Sequence, residues 1–328
     1  MSTNNQTFKY KSCAQAAKAG DLDELKNMHL AGRMWDSETP ARAAENGHLE
    51  CLKYAHENWC NWHYSTTRRA AANGHLECLK YAHENGCRWD QETPAYAALN
   101  GHLNCLKYSH DNGCRWDLNT PAYAARNGHL NCLKYAHENG CLWDKWTPIN
   151  AAKNGHLECL KYAHERGCEW DIEVTECAAL NGHLECLRYA HEQGCKWNYT
   201  IPLNASKKGH LECLKYAYEN GCPWDKITPS FAAYNGHLEC FKYCFQVWDD
   251  QQIFWNHEHD LSKIMDKIDL DDPLWRKLFN LNLGVNPQLQ SKVNAKKQEI
   301  LEMKEASKHA LQNSLPMDVI KYCLQPFF

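Results

Sequence analysis

The 328-residue sequence has no apolar run that approaches the ~18 to 20 residues needed to cross a bilayer. Its first residues, MSTNNQTFKYKSC, are polar and lack the apolar core that is typical of a signal peptide. The net charge of -4 gives no overall basic field of the kind that attracts nucleic acid or anionic lipid. These absences predict a protein of the cytoplasm or nucleus that binds neither membranes nor nucleic acid.

Motifs that carry catalysis are also missing. No serine or cysteine lies in a nucleophile motif, no glycine-rich phosphate loop follows a strand, and no paired carboxylates stand apart from the repeated blocks. A catalytic site has to be unique, whereas nearly every reactive residue here occurs in many copies. We therefore expect no enzyme activity, no catalytic residue and no cofactor.

What the sequence does have is a repeat. A block related to NGHLECLKYAHENGC recurs every 27 residues without insertion, and a divergent first copy, KAGDLDELKNMHLAG, has Asp21 in place of the leading histidine. The pattern predicts nine units, of which the first diverges because one of its sides has no neighbour. The leading histidines are His48, His75, His102, His129, His156, His183, His210 and His237, and tryptophans follow the same interval at Trp35, Trp62, Trp89, Trp116, Trp143, Trp170, Trp197 and Trp224.

Each unit reads as two short helices. In one copy, Thr93 is the expected N-cap before Pro94, and Asn100-Gly101 ends the first helix. A second helix is expected over about 102–111, ended by Asn112-Gly113. Helices of this length are unstable alone. The pattern therefore predicts an all-α fold: an α-solenoid of nine stacked helix–turn–helix units that bury alanine, leucine, cysteine and tryptophan against each other.

The block TPAYAALNGHLNCLKYSHDNG resembles the ankyrin repeat, whose pattern is TPLHxAAxxGHxxxVxxLLxxGA. The resemblance extends from Phe8 to about Asp250, but the unit has 27 residues where the family has about 33. The shortfall lies where the family forms its projecting β-hairpin, which implies fingers reduced to a tight turn. The cysteine- and tryptophan-rich form resembles ankyrin-like proteins of giant DNA viruses and protists. The resemblance implies a protein-interaction function, in the host cytoplasm if the chain is viral.

The chain divides by pattern into three parts. Residues 1–7 are expected to be disordered, residues 8–250 to form the solenoid, and residues 251–328 to form a helical C-terminal region that covers the last unit. Leu315-Pro316 followed by an amphipathic segment makes the tail 314–328 similar to the opening helix of an F-box. A ubiquitin-ligase substrate adaptor that recruits a ligase component through this tail is thus an alternative function.

Residues that differ between units mark a candidate binding surface. The two positions after Trp-Asp vary, and so do two positions three residues apart on the first helix, which lie on one helix face. Tyrosine and arginine, which are enriched in interface hot spots, predict a protein partner with acidic and apolar character, although neutral drift on a solvated surface gives the same variation. The predicted binding residues along the concave face are Arg42, Arg69, Tyr96, Leu99, Tyr123, Arg126, Asn150, Lys153, Lys207, Phe231 and Tyr234.

Two other repeated sets have simple structural interpretations. Fifteen of the 19 cysteines occupy two positions of the unit, and the recurring spacing of Cys78, His83 and Cys87 fits zinc poorly. Structural cysteine and histidine are expected, with a metal-binding repeat protein or a disulfide framework as alternatives. The basic row on the second helices offers a path for nucleic acid, but neighbouring glutamates, as in Glu77-Lys80-Glu84, should neutralise it.

Overall fold

A computed structural model describes residues 8–225 and 227–247, together with eight separate positions between 291 and 305. Within 8–247 these residues form eighteen helices and no strand, so the predicted all-α class and the reduced fingers are confirmed. The helices pair into nine layers, each with a first and a second helix. They are α1 (Cys13–Ala19), α2 (Leu22–Leu30), α3 (Glu38–Glu45), α4 (Leu49–Glu57), α5 (Thr66–Ala72), α6 (Leu76–Glu84), α7 (Thr93–Leu99), α8 (Leu103–Asp111), α9 (Asn119–Arg126), α10 (Leu130–Glu138), α11 (Trp146–Lys153), α12 (Leu157–Glu165), α13 (Ile172–Asn181), α14 (Leu184–Glu192), α15 (Thr200–Lys208), α16 (Leu211–Glu219), α17 (Thr228–Asn235) and α18 (Leu238–Val247).

The chain forms two compact units, and helices α13 and α14 are divided between them. Unit 1 comprises Met1–Ala178 with Glu185–Lys196, and unit 2 comprises Ala179–Leu184 with Trp197–Phe328. Within each unit the first helix of a layer packs on the first helix of the next, and it also packs on the second helix of its own layer. Each unit is thus a stack of helix pairs.

The start of the first helix differs from the prediction. Helix α7 begins at Thr93, so Thr93 is its first residue and not its N-cap; its hydroxyl is buried, 3.3 Å from that of Thr67. The carboxylate of Asp90 accepts the backbone N–H of Glu92 at 2.9 Å, in the manner of an Asx turn. The same bond recurs at Asp117 and Asp144. In these layers, the aspartate after the tryptophan therefore starts the first helix.

The ends of both helices agree with the sequence. Gly101, after α7, has φ 76°, and Gly113, after α8, has φ 81°. This left-handed conformation is open to glycine and is costly for residues with a Cβ. Asn-Gly pairs therefore set the two turns of this layer, as predicted.

Small residues fill the space between layers. Ala97 and Ala98 of α7 are fully buried, and so is Leu106 of α8, with Cys105 beside it almost completely buried. Because alanine side chains are small, the first helices of neighbouring layers can approach closely. The leucine and cysteine side chains of the second helices fill the remaining space between the helices. The predicted core composition is confirmed.

The C-terminal predictions fall largely outside the described residues. Phe241 and Phe245 of α18 are buried, as expected for side chains that need cover in the last layer. The eight described positions between 291 and 305 are helical and exposed, in agreement with a polar helix there. The F-box-like tail 314–328 and residues 1–7 lie outside the described part. None of the helices in the described part is long and apolar enough to cross a membrane.

Candidate interaction surfaces

The histidine of each Gly-His pair joins one layer to the layer before it. The Nε2 atom of His48 lies 3.1 Å from the backbone carbonyl of Lys18, at the end of the preceding first helix. His75 bonds the Glu45 carbonyl in the same way, and burial lowers the pKa of its imidazole while that bond opposes the shift. These histidines therefore have the structural role expected from the sequence, and the acceptor of each bond belongs to the neighbouring layer.

A second histidine forms an aromatic cluster with tryptophan and tyrosine. In unit 1 the ring of His137 stacks on Trp143 at 3.8 Å and 8°, and its Nδ1 atom lies 3.1 Å from the hydroxyl of Tyr162 in the next layer. Trp143 meets Tyr162 edge-on. The indole N–H of Trp89 donates to the carbonyl of Asn112, also one layer on. The tryptophans therefore pack between neighbouring layers, as predicted. Their side chains are half-buried and not fully buried.

Unit 2 contains a natural substitution in this cluster. Tyr218 replaces the histidine, meets Trp224 edge-on at 5.2 Å, and donates its hydroxyl to the carbonyl of Val247. A tyrosine does not offer the neutral ring nitrogen with which an imidazole binds a metal ion. Its aromatic ring can, however, take the place of the imidazole ring in packing. The position therefore has a packing role.

The cysteines serve as buried thiols. Cys141 donates from Sγ to the carbonyl of Asp117 in the preceding layer at 3.3 Å, and burial raises its pKa to about 12. Burial likewise raises the pKa of Cys132 to about 11. Thiols with raised pKa values are poor nucleophiles and poor metal ligands. None of the 18 described cysteines is in a disulfide, and no group of three or more metal-binding side chains occurs in the described part of the chain.

The basic row on the second helices is mostly neutralised, as predicted. Lys53 and Glu50 are 2.9 Å apart, and the same pair recurs at Lys80–Glu77 and Lys161–Glu158. Lys107 and Lys134 differ because asparagine replaces the glutamate three residues earlier, and each instead lies over the tyrosine ring of the next layer.

The predicted binding residues of unit 1 lie on the outward side of the first helices, which we call the first-helix face. Near its N-terminal end, four charges form one cluster. The guanidinium of Arg69 is 2.9 and 3.0 Å from the Glu38 carboxylate, and Arg42 is 3.1 Å from Glu38 and 2.8 Å from Glu45. The bond from Arg69 holds the pKa of Glu38 below its usual range. Arg42 and Arg69 are thus already paired within the face.

Further along the same face lie aromatic side chains, of which Tyr96 and Tyr123 are half-buried. Tyr96 and Tyr123 meet edge-on at 6.3 Å, one layer apart. Tyr123 and Asn150 line a shallow cleft together with Leu118 and Trp146, whose side chains are 43% and 51% exposed. The sequence prediction did not include Leu118 and Trp146. The signal was present, because both occupy the variable positions after Trp-Asp.

The remaining predicted residues border these features. Arg126 and Lys153 are exposed at the ends of α9 and α11, next to the cleft, and Leu99 is half-buried at the end of α7. Considered separately, unit 2 places Lys207 over the ring of Phe231 at 6.0 Å, with Tyr234 exposed at the end of α17. None of the predicted binding residues is buried, and their role in binding stays a prediction.

Comparison with known proteins identifies the class of fold. The family described as ankyrin repeats (3 copies) matches residues 41–119 and 94–174, and the family described as ankyrin repeats (many copies) matches residues 203–243. Together these ranges cover just over half of the chain. The chain belongs to the ankyrin-repeat family.

Among solved structures, the chain is similar to the crystal structure of the human ASB11 ankyrin repeat domain. The two are 18% identical, the match covers 49% of this chain and 85% of that chain, and the TM-score is 0.43. No curated protein matches the chain at a significant level. Ankyrin repeats are in general modules for protein–protein interaction.

Proposed function

We propose that this protein is a non-enzymatic interaction scaffold and that the first-helix face of unit 1 binds a segment of another protein. The observation that carries the proposal is the cleft lined by Leu118, Tyr123, Trp146 and Asn150. A stack does not need exposed aromatic side chains for its stability, whereas aromatic anchors in a cleft contribute strongly to binding.

The charges around the cleft indicate the partner's chemistry. Arg42 and Arg69 are neutralised by Glu38 and Glu45, so they add little attraction for an acidic partner. Arg126 is exposed at the end of α9, three residues after Tyr123 of the cleft, and forms no ion pair within the described residues. The proposed partner segment therefore places apolar side chains in the cleft and a carboxylate beside Arg126.

In this proposal, residues 8–250 form the binding solenoid, residues 251–328 cover its last layer, and the protein works in the cytoplasm. Unit 2 contributes Lys207, Phe231 and Tyr234 as a separate basic and aromatic surface. Its first helices have the same position in the layer as those of unit 1.

The test is affinity capture from the native cell with the full-length protein and a Tyr96→Ala, Tyr123→Ala, Arg126→Ala variant. Loss of specific partners with unchanged helicity is expected, because Tyr96 and Tyr123 contact each other on the first-helix face, Arg126 is exposed, and none of the three belongs to the buried core. A matched control is Lys53→Ala, Lys80→Ala, Lys161→Ala, which removes three exposed cations from the second helices. If both variants capture the same partners as the wild type, the first-helix face is not the binding surface.

A further inference from the structure

Apolar side chains are exposed at a second place in unit 1, at the end of the second helix of the first layer and in the turns that follow the second helices of the first two layers. Leu30, Met34 and Trp59 are 81%, 91% and 93% exposed. The two turns are adjacent, because the Sγ atom of Cys60 donates to the carbonyl of Asp36 at 3.1 Å. We call Leu30, Met34 and Trp59 the turn patch. It lies outside the first-helix face.

The other layers show that the fold does not require these apolar residues. The position of Leu30 is acidic in each of the next seven layers. The position of Met34 varies: it is Asn61, Arg88 and Arg115 in the next three layers and an exposed Leu142 in the one after them. The position of Trp59 is glycine in the other seven layers in which the structure describes this turn. The turn patch is therefore a local departure from a sequence that otherwise repeats closely.

Trp59 is the sharpest departure. Its backbone has φ 68°, and it is the only residue other than glycine with a positive φ among the described residues. Its side chain lines a shallow depression together with His56, Glu57 and Trp62. A left-handed backbone is strained when the residue has a Cβ atom, as Trp59 does. Because its indole is also almost fully exposed, it contributes nothing to the packing of the stack.

The charges next to the turn patch define what can cover it. The second helices of the following layers end in Glu57, Glu84 and Asp111, all exposed. None of the three forms an ion pair with lysine or arginine within the described residues. A carboxylate at a helix C-terminus is unfavourable beside the partial negative charge of the helix end, so this row carries negative charge that a cationic partner would relieve.

The spacing of the row indicates the partner's geometry. One carboxylate per layer recurs at the separation of packed helices, about 10 Å. In an α-helix, seven residues rise about 10.5 Å and return close to the same face. In an extended strand, residues about 10 Å apart are three positions apart, and their side chains point to opposite faces. A strand therefore cannot place cations about 10 Å apart on one face.

We infer that the turn patch and the adjoining row Glu57, Glu84 and Asp111 dock a helical segment of a partner protein that has an apolar end and a lysine or arginine at every seventh position. The apolar end covers Leu30, Met34 and Trp59, and the cations meet successive carboxylates. This site is separate from the first-helix face, so both surfaces are accessible at once.

The experiment uses the full-length protein and a fluorescein-labelled helical peptide with lysine at every seventh position and a leucine pair at one end. Fluorescence anisotropy should show binding that weakens with added salt. Trp59→Gly restores the residue of the other layers, so it should fold normally and weaken binding by about tenfold or more. Glu57→Gln with Glu84→Gln should weaken binding and reduce its dependence on salt.

Two controls make the result specific. Tyr123→Ala, on the first-helix face, should bind the peptide as the wild type does. A peptide with glutamate in place of lysine should not bind. Equal binding of the Trp59→Gly protein, equal binding of the acidic peptide, or no binding of the lysine peptide overturns the proposal. So does a dimer, seen by sedimentation velocity, that Trp59→Gly dissociates, because the occupant would then be a second copy of this chain.

Discussion

The imidazole ring of His129 lies directly against the α-carbon of Gly101. A Cβ atom placed on Gly101 would come within 2.5 Å of Nδ1 of His129. The same contact joins Gly47 to His75 and Gly74 to His102. The Gly-His pair therefore works across layers, because the glycine of one layer receives the histidine of the next.

This contact predicts that two glycines with similar backbone angles respond differently to substitution. Gly101→Ala meets both the left-handed backbone and the His129 ring, whereas Gly113→Ala meets only the backbone, since nothing lies within 4 Å of its Cβ. We expect Gly113→Ala to lower the free energy of unfolding by about 1 kcal/mol. Gly101→Ala should cost at least about 1 kcal/mol more, as expected when a packed ring must move.

Urea denaturation followed by circular dichroism measures both values. The comparison is controlled internally, because each variant adds one methyl group at a glycine with φ near 80°. Equal losses of stability would show that the contact between Gly101 and His129 has no energetic importance.

Much of this fold follows from sequence periodicity. Asn-Gly pairs set the helix ends because glycine alone adopts the left-handed turn cheaply, and Gly101 and Gly113 do so. The alanine pairs were expected to lie between first helices because only small residues permit that approach, and Ala97 and Ala98 are fully buried. These features depend on local chemistry, which is repeated in every layer.

Features that depend on contacts between layers were harder to predict. Thr93 was assigned the capping role that Asp90 performs, because both residue types cap helices and the sequence does not give the chain direction at the turn. Glu38 was missed as the acidic partner of Arg69, which is 31 residues away. Trp146 was missed because the predicted binding residues were taken from two later positions of the first helix, whereas Trp146 is its first residue. A sequence repeat gives the position of a residue within its own layer. It does not give the side chain of the neighbouring layer that this residue contacts.

Burial of the Gly-His histidines predicts that stability falls in mild acid. Burial lowers the pKa of His75 and of His102, so the folded state binds fewer protons than the unfolded state does. Stability is then greatest above the ordinary histidine pKa of about 6.5 and declines as the pH falls below it. The lowered pKa of Glu38 adds a further loss only at lower pH, below its ordinary value of 4.5.

Thermal unfolding between about pH 7.5 and pH 5 tests this expectation, since most carboxylates remain ionised over that interval. The melting temperature should decrease steadily toward pH 5. A His102→Gln variant should be less stable at neutral pH but should show a smaller decrease on acidification. A melting temperature that is constant or rises toward pH 5 would contradict the assignment of these rings as buried neutral bases.

The thiols predict a selective pattern of alkylation. Burial raises the pKa of Cys105 and Cys141 to about 12, so almost none of either is thiolate at pH 8. Cys177 is half-exposed on the first-helix face, and it is the one described cysteine that is not buried. Iodoacetamide at pH 8, read by peptide mass spectrometry, should therefore label Cys177 first among these three, and all three should react quickly in urea. Rapid labelling of Cys105 or Cys141 in the native protein would show that the layers open readily.

The strained turn at Trp59 predicts a gain in stability on substitution. Trp59→Gly removes a left-handed non-glycine residue and loses little packing, because the indole is almost fully exposed. The free energy of unfolding should rise by about 1 kcal/mol, and the reciprocal Gly86→Trp change in the next layer should lower it by a similar amount. Urea denaturation of both variants measures this pair. A loss of stability in Trp59→Gly would mean that the indole supports the fold, and it would remove the reason to expect a partner at that turn.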